Sequence, residues 1–374
     1  MNAISSTTFQ LDSLADLRLA TPHRTDWLWH GFLAAGNITL LTSQWKTGKT
    51  TFVSILLSKL AAGGLLLGLP VRPGKVAIVS EEAKELWLTR SDKLHFGAQA
   101  RWICRPFLGK PQFEEWSALI DFLAGIRERE GLDLVVIDPL AAFLPGRSEN
   151  DAATIMEAML PLRQLTQAGV SILILHHPKK GKIVPGQGSR GSGALTSWAD
   201  IIVEMSRFSQ SLEDDRRRSL FAFSRHEETP RRMLVELEAN GTDYLIHGDF
   251  ANAEFEREWP VLLGVLEDAR GKKTRREILD EWPADFTKPS QSSLWKWLAQ
   301  ALTEGRIQQE GTGRKTKPFR YWLPGQEKKW AGVDLPPLPK LEPLTDFSPR
   351  RMLDDAERVL LGRGRKEGTL GGME

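Results

Sequence analysis

The sequence predicts an α/β fold in which a parallel sheet is extended by antiparallel strands. Four short apolar runs, each suited to one buried strand, lie at 37–42, 75–80, 132–138 and 170–176. Segments with the apolar spacing of helices separate them, at 50–62, 113–130 and 151–167. Shorter alternating runs follow at 200–207, 219–225, 231–238 and 242–247. Strand alternating with helix predicts a parallel sheet covered on both faces, and the later runs predict its antiparallel extension.

The composition is that of an ordinary globular protein. Of 374 residues, 41% are hydrophobic and 26% are charged, which excludes a wholly disordered chain. Fifty Lys and Arg face 48 Asp and Glu, so any nucleic-acid surface has to be a local basic patch. The single cysteine, Cys104, excludes an intramolecular disulfide and a cysteine-based zinc cage. With no apolar run near the roughly 20 residues of a membrane span and no signal-like start, we expect a cytoplasmic protein.

The pattern changes near residue 250. Three helices are predicted at 250–269, 274–282 and 290–304, followed by a hairpin around 311–313, an order typical of a winged helix. Residues 270–320 hold 12 Lys and Arg against 6 Asp and Glu, and the predicted wing carries Arg314, Lys315, Lys317 and Arg320. We therefore expect an N-terminal segment at 1–25, an α/β core at 26–250, a winged-helix-like domain at 251–325 and a Pro-rich linker and tail at 326–374. The winged-helix-like domain would bind duplex DNA or dock a protein.

A candidate phosphate-binding loop follows the first apolar run and opens the first long helix. It consists of Ser43, Gln44, Trp45, Lys46, Thr47, Gly48, Lys49, Thr50 and Thr51. In such a loop, backbone N–H groups and the positive helix end surround phosphate oxygens, while Lys49 adds a charge and Thr50 a hydroxyl for Mg²⁺. Ser43 replaces the first glycine of the pattern G-x-x-x-x-G-K-[ST], a position that often has a left-handed backbone. The alternative is a chance Gly-Lys-Thr turn, but the flanking strand and helix favour ATP binding.

Carboxylates and histidines end three of the other predicted strands. Asp138 ends the run at 132–138 and would hold Mg²⁺, although a turn-starting aspartate is the alternative. Glu81 and Glu82 follow the run at 75–80 and are candidates for activating water, or they are a solvated pair at a helix start. His176 and His177 end the run at 170–176, where one could sense the γ-phosphate and one could be structural. Because parallel strands end at one edge of a sheet, these groups should meet there.

Taken together, the motifs resemble one family, the RepA-like branch of RecA-type P-loop ATPases, which are AAA family ATPases related to the hexameric replicative helicases of the DnaB group. The resemblance covers about residues 20–250. Its pieces are Trp27, 31–33 and 37–41, 46–50, 76–82, 135–140, 176–181 and 189–195. It implies a RecA-like core, ATP and Mg²⁺ as cofactors, DNA as a partner and a homohexameric ring. Ser43, Ala83 and the helices after Phe250 depart from the family pattern.

The resemblance also implies roles for single residues. Glu82 is the water-activating carboxylate, since the family has Ser-Ala-Glu-Asp where this chain has Ser80 to Ala83, and Glu81 is the second candidate. His177 is the γ-phosphate sensor, coupled to a loop facing the central channel. Single-stranded DNA would contact that loop, unless it is merely solvated, through Lys179, Lys180, Lys182 and Arg190. Arg225 lies where related ATPases place a finger that reaches the neighbour's nucleotide, or it is an ordinary surface arginine.

Two functional classes follow from these expectations. The first is an ATP-dependent, ring-forming motor of the RepA/DnaB helicase type, which hydrolyses ATP to translocate on or unwind DNA in replication. The second is a non-translocating RecA-like ATPase that regulates or assembles other proteins. A small-molecule kinase is a third class, but nothing in the sequence predicts an acceptor pocket.

Overall fold

The computed structural model describes residues 11–20, 24–145, 152–177, 193–209 and 215–331. The chain divides into two compact units between Pro260 and Val261. This division lies inside a helix that begins at Phe250, next to the predicted domain boundary at 250/251. Within the described ranges, no helix combines the length and apolarity needed to cross a bilayer.

Twelve helices lie in the described part of the chain. They are α1 Leu14–Ala20, α2 Lys49–Ala62, α3 Lys84–Ser91, α4 Phe113–Glu130, α5 Leu140–Phe143, α6 Ala152–Met159, α7 Leu162–Gln167, α8 Gly193–Trp198, α9 Phe250–Glu267, α10 Arg275–Asp280, α11 Gln291–Thr303 and α12 Gln326–Ala331.

Sixteen strands lie in the same described ranges. They are β1 Trp27–Trp29, β2 Leu33–Ala34, β3 Ile38–Ser43, β4 Gly64–Leu66, β5 Leu69–Val71, β6 Val76–Ser80, β7 Ala100–Cys104, β8 Leu134–Asp138, β9 Ser171–His176, β10 Ile201–Arg207, β11 Arg217–Ser224, β12 Arg232–Leu237, β13 Tyr244–Ile246, β14 Lys273–Thr274, β15 Gln308–Glu310 and β16 Arg320–Trp322.

A nine-stranded sheet organises the first unit. Its order is β13-β12-β11-β10-β3-β9-β8-β6-β7. The six strands from β10 to β7 pair in parallel, whereas β11, β12 and β13 continue the sheet in antiparallel fashion. The predicted α/β class, with a parallel sheet extended by antiparallel strands, is therefore confirmed. All four predicted buried strands belong to this sheet.

Both faces of the sheet are buried, as the sequence predicts. Along β8, Leu134 and Val136 pack into one apolar cluster, whereas Val135 and Ile137 pack into a second cluster. This alternation follows from the period of two in a strand. Helix α2 packs its apolar side into the first cluster, and α4, α6 and α7 pack into the second. Helices on both faces thus fix the strand ends in space.

Several local expectations are wrong or incomplete. The segment predicted as one helix, 151–167, forms α6 and α7 with a break at Leu160, because Pro161 lacks an N–H and disfavours helical backbone in the residue before it. The edge strand β7 was not predicted, since it is only partly buried and lacks a continuous apolar run. A small sheet of order β2-β1-β5-β4 was also missed, because strands of two or three residues leave no periodic signal.

The described part of the second unit contains α10, α11 and α12 and a three-stranded sheet of order β14-β16-β15, in which β14 precedes α10 in the chain. A capping box formed by Thr274 and Glu277 begins α10, and the Ser290 side chain caps the start of α11. Leu294, Trp297 and Leu298 are buried on α11, whereas Trp295 is exposed. Whether this arrangement functions as a winged helix stays a prediction. Helix α12 occupies the start of the segment predicted as linker and tail, and 332–374 lies outside the described residues.

Candidate active site

Four strand ends meet at one edge of the main sheet. The register pairs Thr42 with His176, Ile137 with Ile174, and Ser80 with Asp138. The residues that follow β3, β9, β8 and β6 therefore leave the sheet side by side. This edge brings together the loop at 43–51, His177, Asp138 and the pair Glu81 and Glu82, as the sequence predicts.

The loop between β3 and α2 has the backbone of a phosphate cradle. Lys46 has a φ of 58° and Gly48 a φ of 103°, so both lie in the left-handed region. Gly48 is the N-cap of α2, which leaves the first N–H groups of that helix without partners in the preceding turn. Ser43 is the last residue of β3 and is extended. The serine in place of glycine therefore imposes no strain here, and the departure from the sequence pattern is tolerated.

Lys49 is buried and its ammonium group makes three contacts. Nζ donates to the carbonyl oxygen of Ser43 and to its Oγ, both at 3.0 Å, and to Nδ1 of His177 at 2.9 Å. Burial lowers the pKa of Lys49 to about 8, against the opposing charge of Asp138. Because an ammonium has three donors, a phosphate oxygen can bind it only by replacing one of these acceptors.

Thr50 and Asp138, the two residues predicted to hold Mg²⁺, lie side by side. Thr50 Oγ1 lies 3.5 Å from Asp138 Oδ2. Burial, together with the negative charges of Glu82 and Glu81, raises the pKa of Asp138 to about 6 although Lys49 and Arg90 oppose the shift. A hydroxyl and a carboxylate fit Mg²⁺, which prefers oxygen ligands and completes its shell with water and phosphate. The described residues offer no cluster of three or more His, Cys, Asp or Glu for a metal, so a cage made of protein ligands alone is not expected here.

Glu81 and Glu82 have different surroundings. Both oxygens of the Glu82 carboxylate accept hydrogen bonds from Arg90, one of them at 3.0 Å. Arg105 donates from Nε to the carbonyl oxygen of Glu81 at 3.0 Å. Burial and the charge of Glu82 raise the pKa of the Glu81 carboxyl, against the opposing charge of Arg105. Glu82 is thus partly buried and held by a specific partner, whereas Glu81 is exposed.

The two histidines at the end of β9 are in different environments. Burial, followed by the electrostatic influence of the neighbouring His177 and Lys49, lowers the pKa of His176 to about 4, so His176 is neutral near pH 7. The contact from Lys49 requires an unprotonated Nδ1 on His177, because an ammonium only donates. His177 is therefore the histidine in direct contact with the phosphate-binding lysine.

Three side chains from β10, β11 and β13 lie against the loop, and no sequence motif indicated any of them. Arg218 donates from Nε to the carbonyl oxygen of Thr47 at 2.7 Å, and burial lowers its pKa. Arg207 donates to the carbonyl oxygen of Lys46 at 3.4 Å. The hydroxyl of Tyr244 would lie 3.6 Å from a Cβ placed on Gly48. Their distance along the chain from the loop explains why spacing could not reveal them.

Arg225 is not brought to this edge. Ser224 pairs with Ile201, where the parallel strands begin, so Arg225 lies at the opposite edge of the sheet. Its side chain is 78% exposed and lies 3.7 Å from Asp200, whose Oδ2 accepts the Ile38 N–H. Its role as a finger toward a neighbouring subunit stays a prediction. Lys179, Lys180, Lys182 and Arg190 lie outside the described residues.

Comparison with protein families agrees with this geometry. Residues 5–182 match the family model described as an AAA domain. Over this part, 178 of 374 residues, the chain is similar to AAA-type P-loop ATPases. The matched AAA segment includes the loop at 43–51, Glu81, Glu82, Asp138 and His177, and it ends before Arg225 and the second unit. No curated protein sequence matches the chain significantly. Nucleotide binding is thus the property that the AAA domain supports, and a narrower assignment requires experiment.

Proposed function

We propose that this protein is a P-loop ATPase and a ring-forming motor of the RepA/DnaB helicase type, which hydrolyses ATP to translocate on or unwind DNA in replication. The observation that carries the proposal is the contact between Lys49 Nζ and His177 Nδ1, at 2.9 Å. It joins the phosphate-binding loop directly to the residue that precedes the predicted DNA-contacting loop. A nucleotide that displaces this contact would therefore act on that loop.

In the proposed reaction each side chain has one task. Lys49 and the N–H groups at the start of α2 bind and orient the β- and γ-phosphates. Thr50 and Asp138 would hold Mg²⁺, which neutralises charge on the phosphates when bound. Glu82 orients the attacking water and accepts its proton, with Glu81 as the second candidate. His177 exchanges its contact with Lys49 for one with the γ-phosphate, and thereby couples nucleotide state to residues 178–190.

Basic residues supply the proposed contacts to DNA. Lys179, Lys180, Lys182 and Arg190 follow His177 in sequence and would bind the phosphates of a single strand without selecting bases. In the second unit, Arg314, Lys315 and Lys317 are exposed, so they are free to meet duplex phosphates if the unit acts as a winged helix. Arg225, exposed at the far edge of the sheet, would serve a neighbouring subunit's nucleotide in a homohexamer.

The test measures ATP hydrolysis with and without single-stranded DNA, together with the mass of the assembly in solution. We expect stimulation by DNA, a hexameric mass, and loss of turnover for Lys49→Ala. A variant with Lys179, Lys180 and Arg190 all changed to Ala should keep its basal rate and lose the stimulation. If that variant is stimulated as strongly as the wild type, the motor proposal fails and a non-translocating regulatory or assembly ATPase becomes the better explanation. A monomer whose turnover survives Lys49→Ala would reject both.

A further inference from the structure

We propose that Arg90 is a latch that holds Glu82 in the nucleotide-free protein and has to release it before water is activated. The inference rests on the proposed function, in which Glu82 is the water-activating carboxylate. Arg90 faces Glu82 with two donors: Nη2 donates to Oε1 at 3.0 Å and Nη1 donates to Oε2. Both side chains are about one quarter exposed. Arg90 is thus a positioning residue that acts through Glu82.

The two-donor contact conflicts with the task of a general base. Such a base has to turn one oxygen toward the water and lie within hydrogen-bond reach of it. In this structure the guanidinium occupies a lone pair on each oxygen of Glu82. Arginine remains protonated in proteins, so Arg90 cannot pass on a proton taken from water. The contact therefore suits a resting state and has to open during turnover.

Trp87 and Ser80 position the Arg90 side chain. The Arg90 guanidinium lies 4.7 Å from the centre of the Trp87 ring, a cation–π contact. The indole N–H of Trp87 donates to Ser80 Oγ at 3.1 Å, and the backbone N–H of Glu82 donates to the same oxygen at 3.1 Å. The Ser80 hydroxyl thus holds both the Trp87 ring, on which Arg90 lies, and the backbone of Glu82. Opening then requires Arg90 to separate from Glu82.

The charges at the edge explain why the latch closes without nucleotide. Glu81, Glu82 and Asp138 lie close enough to influence one another, and Arg90 and Lys49 oppose their charge at Asp138. Arg90 therefore compensates part of the negative charge of these three carboxylates. The same guanidinium would be repelled by a cation bound at Thr50 and Asp138, which favours release when nucleotide and metal are present.

Helix α3, which carries Arg90, has room to move. A cavity of about 760 Å³ lies beside it, lined by Trp87, Leu88 and Ser91 of α3 and by Trp102 of β7. None of the residues that line this cavity belongs to the loop at 43–51, so it is separate from the candidate phosphate site. A small shift of α3 into this space would draw Arg90 away from Glu82.

The test compares steady-state ATP hydrolysis, without nucleic acid, in the wild type, Arg90→Gln, Arg90→Lys, Glu82→Gln and the double variant Glu82→Gln with Arg90→Gln. Arg101→Gln is the matched control. Arg101 also pairs with a glutamate, Glu130, at a distance of 2.6 Å, but this pair does not involve Glu82. We expect Arg90→Gln to raise kcat about tenfold, equivalent to about 1.4 kcal/mol in the barrier, with KM unchanged within about twofold. Arg90→Lys should show a smaller rise, since a lysine keeps the charge but not the two-donor geometry.

The variants separate the latch from the function on which it rests. Both variants that contain Glu82→Gln should be inactive, which would show that the added hydrolysis passes through Glu82. A kcat for Arg90→Gln at or below the wild-type value, with Glu82→Gln inactive, overturns the latch and leaves the role of Glu82 intact. If Glu82→Gln retains the wild-type rate, Glu82 does not activate water. The proposed function is then wrong, and the proposal for Arg90 is wrong as well. Should Arg90→Gln fail to fold, Arg90→Lys decides, because a rise in kcat is expected there too.

Discussion

At the scale of single residues, burial disfavours the charged forms of Asp138 and Lys49 in the candidate site. Asp138 is buried near two other carboxylates, and its pKa is raised to about 6. Lys49 is buried as well, with a pKa lowered to about 8. Each shift means that the charged form costs free energy in the folded protein. Such a cost is typical of residues placed for binding rather than for stability.

The Asp138→Asn substitution should therefore stabilise the nucleotide-free protein. The folded-state pKa of Asp138, about 6, exceeds the ordinary value of 3.8, so the folded state loses stability as the pH rises from about 4 to about 6, and the cost is complete above that range. A shift of about two pKa units corresponds to at most about 3 kcal/mol, and we expect a gain of about 1–3 kcal/mol in unfolding free energy at pH 8.

Urea denaturation at pH 8 and at pH 5 measures this gain, which should shrink at the lower pH. Asp121→Asn is the matched control, because Asp121 is exposed on α4 and its substitution should change little at either pH. A less stable Asp138→Asn protein, or a gain that does not depend on pH, would contradict the electrostatic account.

At the scale of elements, the antiparallel extension supports the phosphate-binding loop. β11 places Arg218 so that its Nε donates to the carbonyl oxygen of Thr47 at 2.7 Å. β13 places Tyr244 beside Gly48 at the start of α2. The extension is therefore more than a cover for the sheet edge, since it fixes the backbone that has to present N–H groups to phosphate.

Arg218→Ala should weaken nucleotide binding by about tenfold, because a half-buried, charge-assisted hydrogen bond to the loop contributes about 1–2 kcal/mol to its preorganisation. Titration of a fluorescent ATP analogue measures the affinity. Arg216→Ala provides the control, since Arg216 pairs with Glu236 at 3.2 Å and donates to the carbonyl oxygen of Leu237, without an observed contact to the loop. Equal affinities for the two variants would show that β11 does not organise the loop.

At the scale of the whole molecule, the sequence predicts the architecture better than the contacts. The strands around 37–42, 75–80, 132–138 and 170–176 are continuous apolar runs, so their type and their common edge follow from sequence. The partner of Glu82 does not follow from sequence, because Arg90 is one of many charged residues until α3 places it beside that carboxylate. Pro161 is itself a local signal for the break between α6 and α7, but the helical spacing of apolar residues across 151–167 favoured one continuous helix. Tertiary contacts, rather than local preference, decide the rest.

The second unit gives a prediction of its own. Changing Arg314, Lys315 and Lys317 to Ala should weaken binding to duplex DNA and lower the slope of log affinity against log salt by about 2–3, while ATP hydrolysis without DNA stays the same. Filter binding at several salt concentrations measures both quantities. The control changes Lys93, Arg101 and Arg129 to Ala. These three residues are exposed in the first unit, and removing them changes the net charge by the same amount. If both triple variants lose the same affinity, the predicted wing has no specific role.

The central claim is that one nucleotide is bound where β3, β9, β8 and β6 end. The most direct test is a crystal structure of Glu82→Gln, which should bind ATP and Mg²⁺ without turnover. We expect the phosphates against the backbone of 43–51, Mg²⁺ on Thr50 and Asp138, and Lys49 Nζ turned from His177 to the γ-phosphate. ATP bound elsewhere, or Lys49 still in contact with His177 while nucleotide is present, would contradict the account.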